Sequence, residues 1–225
     1  MTDWAQRGVE PGPDGLLRCP WAQGQQDYLD YHDQEWGRPV HGDVPLLERL
    51  VLEGFQSGLS WLTILRKRPA FRAAFAGFDP ERVAAFTQED VQRLLADTGI
   101  VRHRRKIEAA ITNARALRDL QHREGEGALD RLMWSYADPA ADADPAAEQP
   151  AQTPAPTRMA DLPSRTPSSA ALARDLKRLG FTFVGPTTVY AAMQACGLVN
   201  DHLLGCVVVT TVGTGRGHVA AQDQG

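Results

Sequence analysis

Two cysteines and two histidines near opposite ends of the chain have the residue types of a metal site. They are Cys19, His32, His202 and Cys206. Two thiolates and two imidazoles suit tetrahedral zinc, and the four-residue spacing of His202 and Cys206 would put both on one helix face. Cys19 and His32 are too far apart for a local zinc finger, so a shared zinc would join the two chain ends. The alternative is two core thiols and two surface histidines, because no CxxC pair anchors the site.

A single carboxylate stands at the edge of an apolar helix stripe. Glu53 lies three positions after Leu50 and seven after Leu46. It is either a surface group whose stem covers the stripe or a buried acceptor that faces a cavity. A buried carboxylate would accept hydrogen bonds from the amino group of a ring and favour bound positive charge.

Five aromatic residues accompany these candidates: Trp21, Tyr28, Tyr31, Trp36 and Trp61. Aromatic side chains are usually core residues, and we assign Trp36 to the core. Trp21 and Tyr31 flank the proposed metal ligands, and Trp61 follows a Gly-Leu-Ser turn. A cationic ring between such faces gains about 1–2 kcal/mol from stacking and cation–π attraction. The alternative to core packing is therefore a pocket for a flat, electron-poor or cationic ring.

A glycine-containing turn at 98–102 joins two predicted helices, 88–97 and 103–121. The N-terminus of the second helix would expose backbone N–H groups that bind an anion such as DNA phosphate. A basic cluster beside the turn would add affinity that does not depend on base sequence. The cluster consists of Arg102, Arg104, Arg105 and Lys106. An ordinary helical hairpin with a solvated basic face is the alternative.

Apolar spacing and capping residues predict an all-α scaffold for these groups. We expect Asp43 to cap a helix that ends at Gly58, and Ser60 to cap a second helix that ends before Pro69. The sequence shows no repeat and little strand pattern.

Further helix starts are predicted downstream. Thr87 followed by Asp90 resembles a capping box. Ser168 or Ser169 is predicted to cap a later helix, and Pro186 to begin the next one.

Composition fits one soluble domain without a membrane segment. The chain has 225 residues, of which 43% are hydrophobic, and no apolar run approaches the ~20 residues that span a bilayer. No secretory signal is visible, and three cysteines, an odd number, favour the cytoplasm over a disulfide framework. We expect a folded domain at 18–209, flexible ends at 1–17 and 210–225, and an acidic, Pro/Ala-rich insert at 137–157.

The net charge of -4 does not by itself indicate nucleic-acid binding. The segment 137–157 carries four acidic and no basic residues, and the first 17 residues carry a net -2, so the remainder is near +2. A mildly basic body with one basic cluster is compatible with phosphate contact.

Five long motifs occur in the order typical of one enzyme family. They are YHDQEWG (31–37), LEGFQSGLSW (52–61), GIVRHRRKI (99–107), GFTFVG (180–185) and MQACGLVNDHLLGC (193–206). On these motifs the chain, from about Arg18 to Cys206, resembles the bacterial DNA-3-methyladenine glycosylase I family of the helix-hairpin-helix superfamily. The resemblance implies an all-α fold of two packed helical subdomains with a base pocket between them. The acidic insert, longer by about ten residues than expected, and the longer ends depart from the family pattern.

The resemblance also assigns roles. It implies a structural zinc on Cys19, His32, His202 and Cys206, a base-contacting carboxylate at Glu53, and pocket aromatics at Tyr31 and Trp61, with Trp21 and Tyr28 as further base contacts. The hairpin supplies DNA contacts at Thr98, Gly99, Ile100 and Arg102, and we interpret Lys106 as a phosphate contact. Leu59 is the candidate wedge that fills the stack after base flipping, by analogy with other intercalating side chains.

The implied activity is that of a monofunctional glycosylase. It would flip 3-methyladenine out of alkylated double-stranded DNA and hydrolyse its N-glycosidic bond, acting as a monomer. Methylation at N3 makes adenine cationic and its sugar bond weak, so the site mainly has to select the charged ring. No lysine stands just after the hairpin, where bifunctional relatives carry a Schiff-base nucleophile. Two alternatives stay open: a zinc-stapled module that recognises lesions without cutting, and a glycosylase with a shifted base preference.

Overall fold

The computed structural model describes residues 6–138 and 155–209. This part of the chain is mostly helical, so the all-α prediction is confirmed. Its strands are one antiparallel pair, β1 (Glu10–Pro11) and β2 (Leu17–Arg18). The predicted C-terminal tail at 210–225 and most of the predicted insert at 137–157 lie outside the described residues.

The described helices are α1 (Gln26–Gln34), α2 (Asp43–Gln56), α3 (Trp61–Ala74), α4 (Pro80–Ala84), α5 (Gln88–Ala96), α6 (Arg104–Glu124), α7 (Ala128–Trp134), α8 (Pro167–Arg178) and α9 (Pro186–Ala195). Short 3-10 turns occupy Pro20–Ala22, Ala76–Phe78 and Met159–Asp161. None of these helices is both long and apolar enough to cross a bilayer.

Helix α2 lies in the middle of the fold. Every residue from 46 to 55 is buried, and the helix packs against α3, α6, α7 and α9. A helix that is buried on all sides carries its ionisable residues into the interior along with its leucines. The burial of Glu53 follows from this position.

Asp43 was predicted to cap its own helix, α2, but its carboxylate caps the start of α7 instead. The N-cap of α2 is Gly42. The Asp43 carboxylate is buried and accepts hydrogen bonds from the backbone N–H groups of Gly127 (3.0 Å) and Asp130 (2.9 Å) and from Gln121 Nε2 (2.7 Å). The prediction failed because the donors that bond this carboxylate are more than 75 residues away in the sequence. Local sequence patterns give no information about such distant partners.

Two other predicted helix boundaries are wrong. Helix α3 continues through Pro69 to Ala74, because a proline removes only one ladder hydrogen bond and the buried Phe71 and Ala74 hold the next turn in the core. Helix α8 is capped by Thr166, whose hydroxyl accepts from the Ser169 backbone at 3.0 Å.

Two predicted caps are confirmed. The Ser60 hydroxyl accepts from the Thr63 backbone at 3.3 Å at the start of α3. Thr87 and Asp90 form the predicted capping box of α5.

The end of α9 touches the chain segment that follows α1. Gly197 has a φ of +75°, and a Cβ placed on it would lie 2.6 Å from the Arg38 carbonyl carbon and 2.7 Å from the Pro39 nitrogen. One residue earlier, the Cys196 carbonyl accepts a hydrogen bond of 3.0 Å from the Val40 N–H. Only glycine fits at this position, both for its φ and for the close approach of the two backbones.

The contacts of Asp43 lead to a stability prediction. Asp43→Ala leaves three donors around the start of α7 without their acceptor, and we expect the free energy of unfolding to fall by about 2–3 kcal/mol. Asp79→Ala is the matched control, because Asp79 is a helix cap that accepts only the Arg82 N–H, and its loss should cost about 1 kcal/mol. Urea denaturation measures both, and equal losses would contradict the role assigned to Asp43.

Candidate functional site

A cleft of about 210 Å³ lies between α1, α2, α9 and the segment before α1. Its walls are aromatic and amide side chains around one carboxylate: Trp21, Tyr28, Tyr31, Trp36, Glu53, Gln56, Trp61, Ala191 and Gln194. The five aromatic residues and Glu53 that the sequence singled out therefore come together in one place. The size and flat aromatic walls suit a ring of one or two fused cycles.

Glu53 is buried at the inner wall of this cleft, with 6% of its surface exposed. Its carboxylate accepts no hydrogen bond from any residue in the described part of the chain. Burial raises the pKa of Glu53 to about 8, although the positive charge of Arg49 acts in the opposite direction. The site thus holds an acidic group whose ionised form lacks a hydrogen-bonding partner, so a cationic ligand would be favoured.

Arg49, one helical turn before Glu53, is the nearest compensating charge. Its Nη2 donates to Glu35 at 3.1 Å, and Glu35 also forms a two-point ion pair with Arg68 at 2.6 and 2.7 Å. Burial would raise the pKa of Glu35, but the pairing with Arg68 and Arg49 outweighs it and holds that pKa at about 2. Arg49 Nη1 is buried without a hydrogen-bond partner in the described structure. Arg49 therefore divides its charge between Glu35 and the cleft carboxylate.

The aromatic walls surround the carboxylate on several sides. The rings of Tyr31 and Trp61 are 5.4 Å apart, and the Trp21 ring meets those of Tyr28 and Trp36 edge-on at 5.6 and 5.0 Å. Burial and the nearby Glu53 charge raise the pKa of Tyr31, which therefore stays a neutral hydroxyl. The assignment of Trp36 to the core is wrong, because Trp36 is only partly buried and lines the cleft.

One donor in the cleft wall has no partner. Trp61 Nε1 is buried and makes no hydrogen bond within the described residues. A buried N–H without an acceptor costs free energy, so this group is suited to donate to a ligand acceptor.

Cys19, His32, His202 and Cys206 form a second cluster beside the cleft. All four side chains are buried, and their ligand atoms lie within 4.8 Å of one another. Cys206 Sγ is 3.4 Å from His32 Nε2 and 3.6 Å from His202 Nδ1, and Cys19 Sγ is 3.8 Å from His202 Nδ1. The donor set and this convergence form a possible metal-binding site that joins the N-terminal and C-terminal segments.

The outer nitrogens of both histidines are occupied in a way that fits ligation. His32 Nδ1 lies 2.8 Å from Asp33 Oδ1, and His202 Nε2 lies 3.2 Å from the Trp36 carbonyl oxygen. Each outer nitrogen therefore carries the hydrogen, which leaves a lone pair on His32 Nε2 and on His202 Nδ1 toward the cysteines. Buried Arg18 in turn bonds Asp33 at 2.8 Å and orients it.

The two thiols of this cluster share a hydrogen bond. That contact lowers the pKa of Cys206, with help from both histidines, and raises the pKa of Cys19, which is also desolvated. The Cys206 thiol therefore loses its proton more readily than the Cys19 thiol, and the thiolate is the form of cysteine that binds a metal.

The helical geometry predicted for His202 and Cys206 is wrong. Residues 201–206 form no helix and contain a turn at 204–205. The two ligands converge because the Cys206 N–H donates to the Leu203 carbonyl at 2.9 Å and closes a compact loop. A spacing of four residues fits such a loop as well as it fits a helix, so sequence could not separate them.

The cluster and the cleft share two aromatic side chains. Trp21 lies 5.2 Å from the His32 ring, and Trp36 lies 4.7 Å from the His202 ring, measured between ring centroids. Both tryptophans line the cleft on their other side. The cluster therefore holds two walls of the cleft in position.

The predicted DNA-contact residues lie on two segments at the surface. Leu59 is 40% exposed at the turn between α2 and α3, and Gln56 Nε2 donates to its carbonyl at 3.2 Å. In the hairpin, Lys67 Nζ donates to the carbonyls of Thr98 (2.9 Å) and Gly99 (3.2 Å). The Ile100 side chain is buried, so only the backbone of that residue could meet DNA.

Arg102 and Lys106 differ in their availability. Arg102 is exposed and has no ion-pair partner among the described residues. Lys106 is buried, and its Nζ donates to the carbonyls of Phe55 (2.9 Å) and Ser57 (2.6 Å) at the end of α2. This placement contradicts the interpretation of Lys106 as a phosphate contact, because its ammonium group holds the Leu59 turn instead.

Sequence reasoning missed three polar residues of the site: Arg49, Gln56 and Gln194. Gln56 and Gln194 lie within the motifs LEGFQSGLSW and MQACGLVNDHLLGC, so their positions in these motifs could have identified them as candidate site residues. Arg49 carried no such signal, since its importance depends on burial.

The raised pKa of Glu53 leads to a pH prediction. Because its folded pKa of about 8 exceeds the unfolded value of 4.5, the protonated form is favoured by folding, and stability is lost as pH rises from about 4.5 to 8. Glu53→Gln removes this loss, so we expect the variant to gain on the order of 1–3 kcal/mol relative to wild type between pH 5 and pH 8. Urea unfolding at both values measures the difference.

Glu48→Gln is the control for that measurement. Glu48 is buried on the same helix but pairs with Arg72 at 2.8 Å, so its loss should cost stability at pH 8. A pH-independent difference between Glu53→Gln and wild type would show that Glu53 is not the buried acid described.

Comparison with known proteins shows the family of the chain. The family model for methyladenine glycosylase matches residues 21–209. The chain is 47% identical to DNA-3-methyladenine glycosylase 1 of Escherichia coli over 85% of its own length and 96% of that protein, and 41% identical to DNA-3-methyladenine glycosylase of Haemophilus influenzae over 86% and 98%. A crystal structure of 3-methyladenine DNA glycosylase I superposes with a TM-score of 0.75 at 46% identity, covering 84% of this chain and 98% of the other. The chain belongs to the methyladenine glycosylase family.

Proposed function

We propose that the chain is a monofunctional DNA glycosylase that removes 3-methyladenine from alkylated double-stranded DNA. It flips the damaged nucleotide into the aromatic cleft and hydrolyses its N-glycosidic bond. The observation that carries the proposal is Glu53, buried in a cleft of aromatic rings without a hydrogen-bond partner in the described chain. Its curated relatives are named as glycosylases for this base.

Selection of the base follows from charge. In the free cleft, near neutral pH, Glu53 is largely protonated because its pKa is about 8. A cationic 3-methyladenine in the cleft, packed against the rings of Tyr31 and Trp61, lowers that pKa, so that carboxylate and cation stabilise each other. Normal adenine is neutral and gains neither this ion pair nor the cation–π attraction. Each 1.4 kcal/mol of difference is about a factor of ten in rate or affinity.

The solved relatives support roles for Tyr31 and Glu53. At 34% identity they include a Tyr→Phe variant of 3-methyladenine DNA glycosylase I in complex with 3-methyladenine, and a Glu→Gln variant of the Staphylococcus aureus enzyme. The two altered residues are numbered 22 positions apart, and Tyr31 and Glu53 are also 22 positions apart. We therefore assign base contact to both side chains, with Trp61, Trp21 and Tyr28 as the surrounding faces.

Glu53 does not have to donate a proton for the bond to break. The positive charge of N3-methylated adenine already weakens the bond to C1′, and the base departs as a neutral molecule. The carboxylate at the inner wall of the cleft therefore selects and orients the cationic base rather than acting as an acid.

We assign zinc to the four-residue cluster. Tetrahedral zinc with typical bond lengths of about 2.3 Å to sulfur and about 2.0–2.1 Å to nitrogen separates S and N by about 3.6 Å. Three of the four S–N distances here are 3.4, 3.6 and 3.8 Å, and the fourth is no more than 4.8 Å. Cys19, His32, His202 and Cys206 would hold the ion in a closed structural site, which supplies cross-linking of the chain ends and no reaction step.

DNA is held by the hairpin and the Leu59 turn. Helix α6 has three basic and no acidic residues in its first turn, an arrangement that opposes the helix dipole unless an anion such as phosphate is bound. We propose a helix-hairpin-helix contact in which the backbone of 98–100 and the Arg102 side chain meet phosphate. Leu59 enters the stack that the flipped base leaves.

Lys106 supports the monofunctional assignment. Its ammonium group is bonded to two carbonyls at the end of α2, so it is not free to attack C1′ in the cleft. A borohydride-trapped protein–DNA adduct that disappears in Lys106→Ala would refute this assignment. We further propose a monomer in the cytoplasm, where its three free cysteines stay reduced.

Release of free bases is the central test. Wild-type protein incubated with methylated duplex DNA should release 3-methyladenine in preference to 7-methylguanine and hypoxanthine, as measured by chromatography. Glu53→Gln should lose about 100-fold in rate or more while binding the same DNA, because only the carboxylate is changed. DNA binding without base release by wild type would favour the lesion-recognition module instead.

The metal assignment is tested by elemental analysis. We expect one zinc per chain in wild type and in Cys196→Ser, whose buried thiol lies outside the cluster, and none in Cys206→Ser. Loss of zinc should destabilise the fold by several kcal/mol, since apparent binding free energies in small zinc domains are about 10–16 kcal/mol. A zinc-free wild type of unchanged activity would overturn the assignment.

The DNA surface is tested by salt dependence. Arg102→Ala should reduce the slope of log K against log salt concentration by about 1, since one phosphate contact is lost. Arg123→Ala is the matched control, because Arg123 is an exposed arginine at the opposite end of α6. Equal slopes for the two variants would place the DNA elsewhere.

A further inference from the structure

Gln194 is a cleft residue that the mechanism above does not use. It lies on α9, which packs against α2, and it lines the cleft together with Glu53. Its Nε2 donates a hydrogen bond of 2.6 Å to Asp201 Oδ2. The same carboxylate oxygen accepts the hydroxyl of Tyr190 at 2.5 Å.

This pairing fixes which end of the Gln194 amide is free. An ionised carboxylate only accepts hydrogen bonds, and Asp201 receives two donors on one oxygen. The amide must therefore turn its NH2 group toward Asp201, which leaves Oε1 as the other end. Gln194 Oε1 has no hydrogen-bond partner among the described residues. The cleft thus contains a second unpaired acceptor besides the Glu53 carboxylate.

Two unpaired acceptors match one chemical group on a purine. An exocyclic amino group carries two hydrogens and, on a cationic ring, donates strongly. A carbonyl oxygen at the same ring position would instead meet acceptors on both sides and gain no hydrogen bond. A site built to hydrogen-bond one group of a substrate strongly rejects an analogue without that group, because the polar groups of the site are then left unpaired.

We propose that Gln194 determines base specificity by accepting a hydrogen bond from the 6-amino group of the flipped purine. The site thereby prefers a methylated 6-aminopurine over a methylated 6-oxopurine of equal charge. Asp201 and Tyr190 are positioning residues that keep the amide in this orientation. The inference rests on the proposed glycosylase function and adds to it the means of distinguishing two cationic lesions.

The test compares two lesions that carry the same methyl group. Duplex DNA treated with a methylating agent contains both 3-methyladenine and 3-methylguanine, and chromatography measures the release of each. Wild type should prefer 3-methyladenine. Gln194→Met keeps the length of the side chain but removes the acceptor, so we expect the preference to fall by roughly tenfold or more, mainly through slower release of 3-methyladenine.

Gln121→Met is the matched control. Gln121 also donates its Nε2 to a carboxylate, that of Asp43 at 2.7 Å, but it lies on α6 away from the cleft. It should leave the ratio of the two bases unchanged, which separates lost recognition from a general loss of stability.

The outcomes distinguish this inference from the proposed function. If wild type releases neither base, the glycosylase function fails. If wild type prefers 3-methyladenine and a folded Gln194→Met variant keeps the same ratio, only the role of Gln194 is overturned. If Gln194→Met does not fold, Gln194→Asn decides, since it keeps the amide but draws the acceptor back by one methylene: a weaker preference for 3-methyladenine supports the inference, and an unchanged ratio refutes it.

Discussion

The structure depends on the compensation of charges along one buried helix. Helix α2 places four ionisable residues in the interior, and three of them are neutralised by protein groups: Asp43 by donors of α6 and α7, Glu48 by Arg72, and Arg49 by Glu35. Glu53 is the exception, with only the field of Arg49 acting on it. An ionised group in such a position is expensive unless something else supplies the opposite charge. The Glu53 carboxylate is thus left without a paired cation or donor in the described structure, at the wall of a cleft that fits a flat ring.

The cluster of Cys19, His32, His202 and Cys206 supports two walls of this cleft. Its members come from the first 32 and the last 24 residues of the chain, and its two histidines contact Trp21 and Trp36. The aromatic walls are therefore fixed by the closure of the chain ends as well as by core packing. This explains why His32, which takes no part in the reaction, lies between Tyr31 and Trp36 in the motif YHDQEWG.

Local signals in the sequence carried much of the fold. Ser60 and the Thr87–Asp90 pair showed two helix starts correctly, because capping is decided within four residues. The predictions at Asp43 and Pro69 were wrong for the opposite reason. Hydrogen-bond donors distant in the sequence determine the role of Asp43, and core packing carries α3 past Pro69. The composition of the cleft was largely visible in the motifs.

Orientation within the cleft could not be read from the sequence. The burial of Glu53 depends on the packing of α2 against four other helices, and the position of the Lys106 ammonium depends on carbonyls 49 and 51 residues away. The orientation of the Gln194 amide depends on Asp201 in a neighbouring loop. A motif gives the residue types of a site but not the hydrogen bonds that each side chain has already formed. Lys106 shows this most clearly: it belongs to a basic cluster in the sequence, but its ammonium group donates its hydrogen bonds to two backbone carbonyls.

The contact at Gly197 joins two chain segments that each carry a residue of the cleft wall. On one side of that contact the chain leads to Trp36 and on the other to Gln194, and the two backbones meet without any side chain between them. Side chains can change rotamer to accommodate a larger guest, whereas two main chains in direct contact and joined by the Val40–Cys196 hydrogen bond cannot. The separation of the segments that carry Trp36 and Gln194 is therefore set by main-chain contact and not by side-chain rotamers.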